Sequence, residues 1–135
     1  MKKNRSPQLT VAVLLGAALL AGCGDSPTTP GIQPQIVNNT DSFEYQTSSV
    51  RNYSGSATYT WQNTGVAANV NQATTVTAGS ISVVITDAAG TQVYSRSLAD
   101  NGTFVTADGV AGAWKIRVVY SGASGTVNFR VEKKT

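Results

Sequence analysis

The chain from Ile36 onward alternates between apolar and polar residues with a period of two, the spacing of side chains on the two faces of a β-strand. Four stretches carry this alternation most clearly. Their predicted inward-facing residues are Phe43, Tyr45 and Thr47; Ala57, Tyr59 and Trp61; Ile81, Val83 and Ile85; and Trp114, Ile116, Val118 and Tyr120. Shorter strands are predicted at 74–77, 93–98 and 103–106, and only 65–73 is predicted to turn helically.

Turn-forming residues separate these stretches at regular intervals. Glycine, asparagine and aspartate favour turns because they tolerate left-handed backbone or bond to the backbone locally. They fall at 52–55, 63–65, 87–90, 100–102, 108–109 and 122–125. Short strands punctuated in this way, with no convincing amphipathic helix, predict an all-β fold: an antiparallel β-sandwich, jelly-roll or immunoglobulin-like, of roughly seven to nine strands.

The last of these turns is predicted to close a hairpin. Residues 122–125 connect the strand 114–120 to a final strand at 127–131, in which the odd positions face inward. One register stacks Tyr120 on Val127. That register also sets two arginines opposite each other, so a register shifted by two residues stays open.

The first 21 residues have the layout of a secretory signal. Lys2, Lys3 and Arg5 supply positive charge, and an apolar run of 13 residues extends from Leu9 to Ala21. This run is shorter than the roughly 20 residues that a helix needs to cross a bilayer. The sequence therefore predicts a segment that is removed after export and not a permanent membrane span.

Leu20, Ala21, Gly22 and Cys23 end this run. They match the lipobox of bacterial lipoproteins, and the chain resembles that class over its first 23 residues. The resemblance implies cleavage before Cys23, a diacylglyceryl thioether on its sulfur and a further acyl chain, such as palmitate, on the new N-terminus. Several acyl chains anchor a protein far more firmly than one, at ~0.8 kcal/mol per buried CH₂. The alternative is an ordinary secreted protein in which Cys23 has no role.

Three segments follow from this layout: a signal peptide at 1–22, a lipidated cysteine with a Pro/Thr/Gly-rich tether at 23–35, and a β-sandwich domain at 36–135. Proline spacing favours an extended tether, which reaches up to roughly 37 Å if polyproline-like. In lipoproteins of this type an aspartate directly after the cysteine commonly retains the protein in the inner membrane. Gly24 stands there instead, so the outer membrane is favoured in a Gram-negative cell.

The basic excess of the whole chain lies in the signal peptide. Ten Lys and Arg against seven Asp and Glu give a net charge of +3, but three of the cations precede the predicted cleavage site. The mature protein is therefore formally neutral, which argues against nucleic acid as a partner. Once Cys23 is lipidated, no cysteine is left for a disulfide or a thiolate metal site.

The chain contains no histidine. This excludes a Ser-His-Asp triad, a Cys-His dyad and histidine-ligated zinc. The acidic residues occupy the tether, outward strand positions, strand starts and turns, and nothing in their spacing indicates the facing carboxylates of a glycosidase. We therefore expect no enzymatic activity and no cofactor beyond the covalent lipid, apart from calcium as considered next.

Asp87, Asp100 and Asp108 are candidate calcium ligands if their loops share one end of the sandwich. Their spacing fits no EF-hand. The alternative is that each aspartate simply forms its own turn.

Tyr45, Tyr53, Tyr59 and Trp61 are candidates for a platform on which a sugar ring stacks. Tyr59 and Trp61 share a face with Ala57, which is the predicted core side. Core packing is therefore the alternative interpretation of these rings.

The segment from Ala78 through 87–90 and 112–114 to the terminal strands resembles the pre-peptidase C-terminal type of bacterial β-sandwich. That resemblance implies a sandwich fold and no site, because the acidic strand motif of the family is absent.

The sequence as a whole predicts a lipid-anchored, non-catalytic cell-envelope module that binds a glycan or protein at the cell surface. The alternative is a structural or accessory subunit of an envelope complex, held by strand addition at an edge.

Cys23→Ala should abolish both acylation and processing, because the thioether forms on the Cys23 sulfur. We expect the variant to keep its signal peptide and to lose labelling by a radioactive fatty acid. Mass spectrometry and membrane fractionation measure both effects. A variant that matures to the same size and stays membrane-bound would show that the lipobox interpretation is wrong.

Overall fold

A computed structural model describes residues 32–135, and the predicted signal peptide and lipobox lie outside the described residues. Within this range the chain is built from strands and contains no helix, which confirms the predicted all-β, antiparallel fold. Residues 32–135 accordingly include no helical segment that could cross a membrane. The strands are β1 (Gln35–Asn39), β2 (Ser42–Asn63), β3 (Ala68–Gln72), β4 (Thr75–Thr86), β5 (Gln92–Ser97), β6 (Gly102–Val105) and β7 (Gly112–Lys133).

The seven strands form one continuous antiparallel sheet that is folded over into two layers. Layer A runs in the order β1, the first part of β2 (42–47), the last part of β7 (126–133), β3 and β6. Layer B runs in the order the last part of β2 (55–63), the first part of β7 (112–120), β4 (80–86) and β5. The two 22-residue strands, β2 and β7, therefore belong to both layers.

The fold-over is visible in contacts within β2 itself. The rings of Phe43 and Tyr59 lie 5.7 Å apart although both belong to this strand. The bending segments are 48–54 of β2, 77–79 of β4 and 121–125 of β7, where the strand registers shift or are interrupted. We call this the bend end of the sandwich. The opposite, loop end carries the loops 64–67, 87–91 and 106–111.

The predicted terminal hairpin is wrong, because 112–133 is a single folded-over strand. The predicted faces are nevertheless present: the even positions of 114–120 and the odd positions of 127–131 are buried. The change from even to odd buried positions takes place in the bend at 121–125 and not in a turn. Tyr120 pairs with Gly55 and Val127 with Thr47, so β2 provides the partner that the hairpin would have supplied.

Two other local predictions differ from the structure. Residues 52–55 lie inside β2 and bend it, with Asn52 at a φ of +43°, instead of ending a strand. Residues 68–72, predicted to turn helically, form β3 between β7 and β6. The core also begins before the predicted domain boundary at 36, because Ile32 is buried and β1 starts at Gln35.

The core lies between the two layers and is filled by the inward-facing residues of both. Its largest buried side chains are Trp61, Trp114, Tyr45, Phe43 and Phe129. The open side between β5 and β6 is covered by the guanidinium of Arg96, which lies 3.8 Å from the centre of the Phe104 ring. Asp100 pairs with the same guanidinium at 3.5 Å.

Close backbone packing at the bend end explains Gly79. A Cβ on Gly79 would overlap the carbonyl oxygens of Ser121 and Gly122, and Gly79 has a left-handed φ of +66°. Gly90 is also left-handed, with a φ of +87°, but no neighbouring atom lies within 4 Å of its Cβ position. A substitution at Gly90 therefore tests backbone strain alone. A substitution at Gly79 tests the same strain together with a steric clash.

Gly79→Ala should destabilise the protein far more than Gly90→Ala. We expect about 1–2 kcal/mol for Gly90→Ala from the left-handed backbone alone, and more than about 3 kcal/mol for Gly79→Ala because β4 and β7 must separate. Urea unfolding of the purified variants measures the difference. Equal losses of unfolding free energy would contradict the close packing of β4 on β7.

Candidate functional site

The structure places two of the predicted stacking residues in the core. Trp61 is fully buried, packs edge-on against Trp114 at 6.0 Å and donates its Nε1–H to the Asn39 carbonyl at 3.0 Å. Tyr45 is also fully buried, and its hydroxyl lies 2.6 Å from that of Tyr120. The predicted sugar platform is therefore wrong for Trp61 and Tyr45, because neither ring face is open to a ligand.

The other two tyrosines are half-buried and pack against the same core. Tyr59 lies between Phe43 and Tyr45, with ring centres 5.7 Å and 5.9 Å away. Tyr53 packs edge-on against Tyr120 at 5.1 Å, at the bend end. These contacts turn the rings of Tyr53 and Tyr59 toward the interior, so the four predicted residues form no shared outer platform.

The three predicted calcium ligands do not come together. Asp87 and Asp108 lie at the loop end, whereas Asp100 lies at the bend end, where its carbonyl accepts from the Gln72 side chain at 2.6 Å. Across residues 32–135 no group of three or more His, Cys, Asp or Glu side chains is arranged to hold a metal ion. Asp87 instead organises its own turn, as the alternative interpretation predicts.

Asp87 is buried and saturated by backbone donors. Its carboxylate accepts N–H bonds from Ala89, Thr91 and Val110 at 2.8–3.0 Å, and the Val110 bond fastens the 106–111 loop to the 87–91 loop. These bonds, the one from Val110 first, lower the pKa of Asp87. The backbone N–H of Thr64 likewise lowers the pKa of Asp41. Both carboxylates thus stay ionised, which is the opposite of what a general acid requires.

A different set of polar side chains lies together on the outer face of layer A. The strand registers align these residues in rows across five strands, about 19 Å wide. We call this surface the amide face. It consists of Gln35, Val37 and Asn39 on β1; Ser42, Glu44 and Gln46 on β2; Thr126, Asn128, Arg130 and Glu132 on β7; Asn69 and Asn71 on β3; and Thr103 and Val105 on β6.

Asparagines on two of the three inner strands are the unusual feature of the amide face. Asn69, Asn71 and Asn128 lie on β3 and β7, which have hydrogen-bonded neighbours on both sides. Asparagine is depleted in strands because it does not pack well on a pleated surface. Residues that oppose the local structure without improving its packing are typical of functional sites.

The amide face contains a central cleft of about 340 Å³. Asn69, Asn71, Thr103, Asn128, Arg130 and Glu132 line it. Within it, Asn71 donates to the Thr103 hydroxyl at 2.8 Å, and Arg130 pairs with Glu44 at 3.2 Å. The cleft therefore offers amide, hydroxyl, guanidinium and carboxylate groups at fixed positions, with no aromatic ring among its lining residues.

The outer face of layer B has a different chemistry. Its central rows carry Lys115 and Arg117 between serines and threonines, with Thr58 and Val84 beside Arg117. Neither cation takes part in an ion pair in the described part of the chain, and no carboxylate shares these rows. This face carries the glutamines Gln62 and Gln92, but asparagine is absent from its rows, so the asparagine-rich rows belong to layer A.

The loop end carries a small apolar patch. Val66 and Val110 are 53% and 54% exposed and lie on adjoining loops, which are joined by a bond from the Gly109 N–H to the Val66 carbonyl at 2.7 Å. Edge protection is seen near this end: the Asn38 amide donates to the Thr60 carbonyl, and the Asp41 N–H donates to the Gln62 carbonyl. These bonds cover part of the edge of layer B.

Comparisons with known proteins do not assign a family. No family model matches the chain, and no curated protein matches it. A chain in the structure of the Gt strain of infectious bursal disease virus is similar, with a TM-score of 0.30 and 14% identity. The match covers 92% of this chain and 36% of the viral chain.

Sequence reasoning did not identify the amide face. Its residues occupy predicted outward positions on 42–47 and 127–131, but 65–73 is predicted to turn helically, so Asn69 and Asn71 have no place in the predicted sheet. The available signal is the asparagine content of segments that otherwise alternate as strands.

The buried hydroxyls of Tyr45 and Tyr120 share one hydrogen bond, and we expect this bond to stabilise the fold only while both hydroxyls are present. We expect Tyr45→Phe to cost about 1–3 kcal/mol, because it leaves the buried Tyr120 hydroxyl without its partner. The double variant Tyr45→Phe/Tyr120→Phe should cost less than the sum of the two single variants. Additive losses of unfolding free energy would contradict a shared hydrogen bond.

The same pair predicts the alkaline limit of stability. Burial raises the pKa of Tyr45 and raises that of Tyr120 to about 12. The folded state therefore holds these protons more tightly than the unfolded state, whose tyrosines titrate near ~10. Stability should be intact below about pH 10 and fall as the pH rises through 12, and the double variant should show a shallower fall. Urea unfolding at a series of pH values measures both, and an equally steep fall in the double variant would count against this pair.

Proposed function

We propose that this protein is a lipid-anchored, non-catalytic cell-envelope module that binds a glycan through the amide face. The anchor rests on the lipobox resemblance of Leu20 to Cys23. The observation that carries the binding function is the row arrangement of asparagine and glutamine side chains across layer A.

Amide side chains suit a polyhydroxylated ligand. Each asparagine or glutamine has a carbonyl acceptor and an amide donor, and a sugar hydroxyl both donates and accepts. The rows repeat across five paired strands, so the groups are held by a rigid sheet and not by loops. Preorganised groups bind with a smaller loss of conformational entropy.

The state of several acidic groups supports the non-catalytic part of the proposal. Hydrolysis of a glycosidic bond normally uses one carboxylic acid with a raised pKa and one carboxylate. Asp41 and Asp87 have lowered pKa values, and Glu44 is paired with Arg130 at 3.2 Å. These three carboxylates therefore favour binding over turnover.

The position of chain entry is compatible with an anchored module. The described chain enters at the bend end, where Gln35 pairs with Gln46. The loop end, with Val66 and Val110, lies at the other end of the sandwich. The loop end therefore lies away from the point at which the described chain begins.

The second candidate is an accessory subunit of an envelope complex, and the apolar patch of Val66 and Val110 favours it. A protein contact at this end would remove both exposed valines from water. Such a subunit would bind its partner through the loop end, whereas a glycan-binding module would use the amide face. The two candidates therefore predict different binding surfaces.

Arg130→Gln should weaken glycan binding while leaving the fold intact. Arg130 and Glu44 have side-chain exposures of 51% and 38%, so their pair contributes about 0–1 kcal/mol to stability. Binding of the purified protein to isolated peptidoglycan sacculi and to envelope polysaccharide is measured by co-sedimentation. We expect a several-fold loss of affinity, as removal of a charged hydrogen-bonding group predicts.

Arg117→Gln is the matched control, since Arg117 lies on the same strand but on the outer face of layer B. We expect it to bind as the unchanged protein does. Equal binding by both variants, or binding by neither the unchanged protein nor the control, would contradict the proposal.

A further inference from the structure

The amide face continues into a second depression at the bend end, which we call the bend-end pocket. Its volume is about 290 Å³, near the lower limit of about 300 Å³ for small-molecule sites. The pocket is lined by Gln33, Gln35, Gln46, Thr47, Ser48 and the segment 126–128. Asn128 lines both this pocket and the central cleft, so the two adjoin at this residue.

The lining of the bend-end pocket is polar and uncharged. Three glutamines, an asparagine and three hydroxyl residues contribute to it, together with Val127. A charged ligand would find no counter-ion among these residues. An uncharged molecule with several hydroxyl groups would find both donors and acceptors.

Thr47 provides an independent sign of a ligand. The residue is 5% exposed, and its Oγ1 atom is buried without a hydrogen-bond partner among the described residues. A buried hydroxyl without a partner is destabilising, and most buried polar groups in folded proteins have one. Thr47 also lines the pocket, and a turn of its side chain to another staggered rotamer changes which of its Cβ substituents faces it. A hydroxylated molecule seated in the pocket would lie beside the residue whose hydroxyl lacks a partner.

We infer that the bend-end pocket binds one neutral sugar residue, with Gln46 and Thr47 as its main hydrogen-bonding partners. This inference rests on the proposed glycan function and identifies the part of the face that takes a single uncharged ring. The central cleft, with Arg130 and Glu132, then contacts the rest of the chain of sugars.

The test uses the purified protein, labelled with nitrogen-15, and four neutral sugars: glucose, galactose, mannose and N-acetylglucosamine. We expect at least one to give saturable shifts of backbone amides at 46–48 and 126–128, with a Kd on the order of 1 mM. Glucuronate and inorganic phosphate serve as charged probes, and neither should shift these amides in a saturable manner.

Thr47→Val should weaken sugar binding about tenfold while keeping or raising the melting temperature, because it removes an unpaired buried hydroxyl. Gln46→Ala should also weaken binding. Gln62→Ala is its control, since Gln62 is an exposed outward residue of β2 in layer B. A purely structural role of Thr47 would leave sugar affinity unchanged.

The inference is overturned if none of the four sugars produces saturable shifts at these amides, or if Thr47→Val and Gln46→Ala bind as Gln62→Ala does. Retained binding of polysaccharide that depends on Arg130 would then leave the proposed function standing. If the unchanged protein bound single sugars at the pocket but bound no polysaccharide, the proposed function would be overturned and this inference would stand.

Discussion

The close approach of backbones at the bend end is the constraint on which the rest of this structure depends. Gly79 lies against the carbonyls of Ser121 and Gly122, and Gly125 lies against the carbonyl of Thr75. A side chain at either glycine would hold β4 away from β7. This close approach lies at the level where β2 and β7 fold over and pass from one layer to the other.

The fold-over also decides which residues face outward. In β7 the buried positions are even before the bend and odd after it. Without this exchange, Asn128 and Arg130 would point into the core and Phe129 would point into solvent. The bend therefore fills the core with aromatic side chains and, on the same strand, presents the polar residues of the amide face.

Alternation along the sequence predicts the faces of the strands well, since burial depends on a local period of two. Phe43 and Val83 are buried as this rule predicts, and the same rule correctly separates Trp114 from Lys115. It does not predict connectivity, because a hairpin and a folded-over strand place the same residues inside. The predicted hairpin at 122–125 is wrong for that reason: its glycines allow a bend as readily as a turn.

The binding residues are harder to predict than the fold. Large aromatic rings such as Trp61 bury most of their area and so serve the core before any ligand. The amide face arises only when β1, β2, β7, β3 and β6 are aligned, and this alignment is a long-range property.

The most direct test of the central claim is a mild-detergent pull-down of the lipidated protein from its native membranes, with an unrelated tagged lipoprotein as reference. Proteins are quantified by mass spectrometry and carbohydrate by sugar analysis. A glycan-binding module should retain envelope carbohydrate above the reference and no protein at equal stoichiometry. One protein recovered at equal stoichiometry, and lost when Val66 and Val110 are changed to aspartate, would contradict the glycan account and establish an accessory subunit.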